Sequence, residues 1–173
     1  MRLFIAINFD EETREKIIAV QQRLRVLGTG NFSQPENLHL TLAFLGEVDS
    51  AQVGAVRHAM DRTTVRPMSL TFDHVGRFKR DGGDIWWIGI SENRLLLSLQ
   101  KELSGHLADA GFRLEDRRFS PHITLAREVR LATQLEYSAL LGSAFSTQAS
   151  TISLMRSERI SGRLIYTEQY CRG

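Results

Sequence analysis

Two histidine-x-threonine triplets carry most of the chemistry this chain can offer: His39-Leu40-Thr41 in NLHLTLAFLG and His122-Ile123-Thr124 in SPHITLAR. Polar and apolar residues alternate in both. On a β-strand the imidazole and the hydroxyl would share one face, while the residue between them turns to a core. An imidazole titrates near neutrality, so one ring can hold a proton while the other accepts one. Such a pair can act as general acid and general base, each worth about 10² to 10⁴ in rate. Phosphodiester cleavage needs both, a base to activate the attacking oxygen and an acid to protonate the leaving one. The hydroxyls of Thr41 and Thr124 could donate to non-bridging phosphate oxygens. One triplet alone is a weak signal, because histidine and threonine are ordinary on a solvated strand face.

Other uses of these residues fare less well. Two strand-borne histidines can ligate zinc, but a site needs a third protein ligand. Glu47 and Asp49 lie beyond Gly46 and Glu128 lies beyond Arg127, so no metal is expected. Lys79-Arg80-Asp81-Gly82 matches the short Lys-x-Asp-Gly core of ATP-dependent ligases, yet it falls where Asp-Gly-Gly reads as a turn between strands. No glycine-rich phosphate loop accompanies it, and no cofactor is expected. Cys171 is the single cysteine, which excludes a disulfide framework.

The elements that must position the triplets can be read from periodicity. Residues 2–9 form a short apolar run suited to a buried strand. Asp10 then caps a helix whose stripe is Ile17, Val20, Leu24 and Leu27, stopped at Gly28. After a loop containing Pro35, residues 38–46 read as a strand, 50–63 as a helix, and 68–78 and 84–90 as strands joined by a turn. A helix from Ser91 carries Leu95, Leu99, Leu103 and Leu107 to Gly111. The strand FSPHITLAR follows, then a helical segment near 131–141 and strands over 147–157 and 163–170. His39 and His122 stand 83 residues apart (122 minus 39), and the same step takes Thr41 to Thr124, Leu24 to Leu107, Gly28 to Gly111 and Ile5 to Ile88. A duplicated unit explains this. It predicts two similar lobes related by pseudo-twofold symmetry, an arrangement that could bring the two histidines face to face across a cleft. His58, His74 and His106 have no partner at that step.

Composition fits one globular domain over residues 1–173: 42% hydrophobic and 24% charged residues, with no apolar run near the length of a membrane span. The N-terminal apolar run is too short for a signal peptide, so a cytoplasmic protein is expected. Of the 22 basic residues only Lys16, Lys79 and Lys101 are lysines. The arginine bias suits a phosphate-bearing substrate, and a GC-rich genome would produce it equally well.

With its paired triplets, its RLFIAI opening, HVGRF followed by IWWIGI, and a late strand with Ser157 followed by Tyr166, the chain resembles the two-histidine (2H) phosphoesterase superfamily. Within it the resemblance is to the LigT-like RNA 2′,3′-cyclic phosphodiesterases, historically called 2′-5′ RNA ligases. The resemblance implies an α+β fold of two duplicated pseudo-twofold lobes of antiparallel sheet with flanking helices, the active site in the cleft between them. It also implies metal-independent hydrolysis of a 2′,3′-cyclic phosphate at an RNA 3′ end, leaving a 2′-phosphomonoester. His39 would be the proton donor, His122 the proton acceptor, and Thr41, Thr124 and Arg127 the phosphate-binding groups; nothing in the spacing decides the acid/base order. Strict alternation puts Arg127 opposite His122, so a bulge or the strand's end must turn it if it reaches the cleft. Phe44, its partner at the 83-residue step, reads as core packing beside Leu42 and Leu45, with a substrate contact as the alternative. Trp86 and Trp87 point to opposite faces, and both read as packing. The expected substrates are RNA ends or small cyclic-phosphate nucleotides, taken by a monomer without membrane or obligate protein partner. An RNA-end-binding protein with reversible ligase activity, or a phosphodiesterase for another cyclic nucleotide, is the alternative.

Overall fold

A computed structural model describes residues 1–173. Strand β1 (Arg2–Asn8) leads into helix α1 (Glu11–Leu27), where Asp10 accepts a hydrogen bond from the Thr13 N–H at 2.8 Å. Then come β2 (Gly28–Phe32), β3 (His39–Glu47), α2 (Val53–Arg62), β4 (Met68–Phe78) and β5 (Asp84–Ile90). Helix α3 (Arg94–Asp109) is capped by Asn93, and Gly111, in the left-handed region at φ 94°, closes it. Strand β6 (His122–Leu131), the short α4 (Tyr137–Leu141), β7 (Phe145–Ala149), β8 (Ile152–Ile160) and β9 (Arg163–Arg172) complete the chain. No helix is long and apolar enough to cross a membrane.

All ladders are antiparallel and form two sheets, one ordered β3-β1-β8-β9 and the other β2-β6-β5-β4-β7. The duplication is therefore interlaced. In the first sheet β1 and β3 come from the first half of the chain and β8 from the second; in the other, β5 and β6 come from the second half and β4 from the first. Helices cross over as well, α1 lying against β2, β6 and β7, and α3 against β3. Thr13, Val20 and Leu24 of α1 and Leu96, Leu103 and Leu107 of α3, equivalent at the 83-residue step, are all buried. One hydrophobic core of 35 residues joins the two layers.

The structure adjusts the expected elements in four places. Gly28 does stop α1, but it opens β2 directly, an edge strand in place of the expected loop; GTGNF has no apolar alternation and is held by its ladder to β6. The expected helix over 131–141 is only Tyr137–Leu141, because residue 131 still belongs to β6. A strand expected over 147–157 is two, β7 and β8. The repeat also slips: Asn8 lies opposite His39 and Gly89 opposite His122, a step of 81 (89 minus 8). A slip of two keeps every side chain on its own face.

Candidate active site

Both histidine strands depart from alternation at equivalent places. On β5–β6, Trp86 pairs with Ala126 and Trp87 with Thr124, so Leu125 is an extra residue; on β1–β3, Ile5 pairs with Ala43 and Ala6 with Thr41, so Leu42 is extra. These are β-bulges. Leu125 and Ala126 are consequently buried in succession, as are Leu42 and Ala43. A second irregularity follows in each strand, with Gly46 at φ 68° and Glu128 at φ 55°. The bulges turn Arg127 onto the face of His122, and Phe44 onto the face of His39.

His39, Thr41, Phe44, His122, Thr124 and Arg127 thus all line one cavity of about 960 Å³ between the sheets. For Phe44 the expectation of core packing is corrected. It is 42% exposed in the cavity wall, with the Arg2 guanidinium 5.0 Å from its ring centre, while Ala43 takes the buried place. Trp86 does pack in the core, but Trp87 is half-buried beside His122, ring centres 5.8 Å apart. Its indole lies flat over Gly76, where any Cβ would meet the ring at 2.4 Å.

Each imidazole is fixed by the same device. Nδ1 of His39 donates to the main-chain oxygen of Asn37 at 2.7 Å, and Nδ1 of His122 to that of Ser120 at 2.6 Å. A carbonyl can only accept, so Nδ1 carries the proton and Nε2 is the atom left for chemistry. Nε2 of His39 lies 2.9 Å from the Thr41 hydroxyl. Burial pushes the pKa of His39 down to about 4; the Asn37 bond opposes this, and the Arg127 and His122 charges add to it. His122 is lowered in the same sense, by burial first and by Arg127, against its bond to Ser120. In the unliganded protein both rings are therefore neutral at pH 7.

The surroundings of the rings differ. His39 stacks on Phe4 (4.7 Å, 30°) and meets the edge of Tyr166 at 5.2 Å; His122 meets Phe78 edge-on at 5.4 Å. Phe4 had no sequence signal, since β1 is apolar on both faces. Tyr166 did have one, sharing with Leu164 the cavity-facing side of an alternating strand. No group of three or more His, Cys, Asp or Glu side chains comes together as a metal ligand set. The Lys79–Gly82 segment ends in the turn before β5, outside the residues lining this cavity.

Comparison with known proteins finds relatives for the chain as a whole. The family model of the 2′-5′ RNA ligase superfamily matches residues 10–160. An RNA 2′,3′-cyclic phosphodiesterase of Escherichia coli is 33% identical over 167 residues, covering 96% of this chain and 92% of that protein. One from Archaeoglobus fulgidus is 34% identical over 131 residues, 75% and 74% of the two chains. The crystal structure of E. coli LigT with 3′-AMP superposes with a TM-score of 0.85 at 32% identity, covering 99% of this chain and 96% of that one.

Proposed function

The chain belongs to the 2′-5′ RNA ligase superfamily, and from that premise we propose that it opens the 2′,3′-cyclic phosphate of RNA 3′ ends to a 2′-phosphomonoester, without a metal, by a two-histidine mechanism. The observation that supports this most directly is the matched fixing of the two rings. Both Nδ1 atoms are tied to backbone carbonyls, and both Nε2 atoms belong to rings lining one cavity that Arg127 also lines. The cyclic phosphate monoanion is drawn to Arg127, whose fork can take two of its oxygens. Thr41 and Thr124 donate to the phosphate, and His122 Nε2 accepts the proton of the attacking water. The P–O bond to the 3′ oxygen breaks as that oxygen takes a proton from His39 Nε2. The bound anion raises the pKa of both rings, which lets the buried His39 hold the proton it must give.

The test is an oligonucleotide with a 2′,3′-cyclic end, incubated with the protein in EDTA. The expected product is the 2′-phosphate, and His39→Ala or His122→Ala alone should lower kcat by about 10² or more. A requirement for added metal, or near-normal kcat in either variant, would overturn the mechanism.

A further inference from the structure

The reacting phosphate needs only one region of the cavity, and the wall beyond it carries charge that the proposed reaction leaves unused. Arg2, Arg159 and Arg163 line that wall, against a single carboxylate, Glu158, which is ion-paired with Arg156. Arg163 has a loose, exposed pairing with Glu36 at 3.7 Å, whereas Arg2 and Arg159 pair with no carboxylate. Unpaired guanidiniums converging in a cleft are a phosphate-binding arrangement. Their placement relative to the reacting centre follows from β1. Arg2 stands two residues from Phe4 on the same strand face, about 6.8 Å along it, and the Phe4 ring stacks on His39. Arg2 is steadied over the Phe44 ring. Arg159 is held at the β8–β9 hairpin tip, donating to the Gly162 carbonyl at 3.3 Å. That tip is a tight turn through Ser161 and Gly162, both at positive φ. Burial raises the pKa of the Tyr166 phenol, and the charges of Arg127, Arg2 and Arg159 all act on it in the opposite sense.

We propose that Arg2 and Arg159 form a subsite for a second phosphate, the one on the 5′ oxygen of the terminal nucleotide. A nucleotide ending in a 2′,3′-cyclic phosphate has no other position on its ribose for one, so the inference rests on the activity proposed above. The 5′ phosphate can be the phosphodiester of an RNA strand or the phosphomonoester of a small nucleotide. The shared requirement is a second anion one ribose away from the first.

Binding of adenosine 2′-phosphate and adenosine 2′,5′-bisphosphate, measured by calorimetry for the wild type and for R2Q/R159Q, tests the subsite independently of turnover. The wild type should bind the bisphosphate at least about tenfold more tightly, and the ratio should fall toward one in the variant. Equal affinities in the wild type, or an unchanged ratio in the variant, would overturn the subsite. Hydrolysis of adenosine 2′,3′-cyclic phosphate, its 5′-phosphorylated form and ApA with a cyclic end is measured in parallel. If none is opened, the activity is wrong while an Arg-dependent binding ratio still upholds the subsite. Faster turnover of the dinucleotide than of the 5′-phosphorylated monomer identifies the RNA strand as the source; the reverse identifies the small nucleotide.

Discussion

The side-chain amide of Gln21 on α1 donates to the carbonyl oxygen of Leu125 on β6, 2.8 Å away, inside the core. Leu125 is the extra residue of the bulge between Thr124 and Arg127, and its carbonyl also accepts from the Ser33 N–H at 3.0 Å. The same amide also holds the Ser33 carbonyl, and the Ser33 hydroxyl donates in turn to the Thr124 carbonyl. At the equivalent bulge, Gln100 of α3 donates to the Leu42 carbonyl at 3.3 Å. The bulges that present Arg127 and Phe44 to the cavity are thus each tied by a glutamine to a helix packed against that strand.

Replacing Gln21 with leucine, close in size but without donors, removes both bonds: the part-buried Ser33 carbonyl loses its amide partner and the Leu125 carbonyl is left with the Ser33 N–H alone. A stability loss of about 1–3 kcal/mol is expected. More specifically, Gln21→Leu should raise KM for a cyclic phosphate by loosening Arg127, whereas Gln21→Glu, protonated at low pH, should recover part of the loss there. Denaturant titration together with steady-state kinetics checks both parts. An unchanged KM would show that the bulge holds Arg127 without the glutamine.

The pH dependence follows from the direction of the two histidine shifts. Burial and Arg127 lower both pKa values in the free protein, so the bell for kcat/KM should lie on the acid side of pH 6.5. Bound phosphate anion opposes those effects, so the bell for kcat should lie at higher pH. In the folded chain His39 titrates near 4, and in the unfolded chain near 6.5. Between those values the unfolded state binds more protons, so stability falls as pH drops through this window. His39→Asn should flatten that slope in chemical denaturation at pH 7 and pH 5.

Glu128 holds a left-handed backbone at φ 55° immediately after Arg127, and Gly83 lies so close that its Cβ would sit 2.6 Å from the Glu128 carbonyl carbon. Glycine adopts that conformation without the steric cost a side chain incurs. Glu128→Gly should therefore keep or raise thermal stability, while the β-branched Glu128→Val should lower it by about 1–2 kcal/mol and reduce activity by shifting Arg127. Melting curves of the two variants provide the check, and equal melting temperatures would contradict the strain.

How much of this was legible in the sequence depends on the kind of signal. His39, Thr41, His122 and Thr124 were readable because strand periodicity and the 83-residue step act on side-chain type, which a sequence records. The facing of Arg127 and Phe44 was not, because it is set by single extra residues in the ladder, and Leu42 and Leu125 look like any other core leucines. Phe44 sits among apolar neighbours, so pattern alone assigns it to packing. Arg2 and Arg159 were lost among 19 arginines (22 basic residues minus three lysines) until the sheets brought them to one wall.

The interlacing has a consequence for how the molecule is made. Strand β1 has one of its two partners, β8, some 150 residues later in the chain, with Phe4 opposite Met155. Contacts of such long sequence separation carry a large loop-closure cost and slow folding. The sheet that carries His39 is complete only after β8 and β9 have been synthesised, by which time β5 and β6 are already available to each other. A nascent or truncated chain ending before β8 would hold both histidines and still lack the strand that seats Phe4 beneath one of them, so catalytic competence should arrive late and all at once.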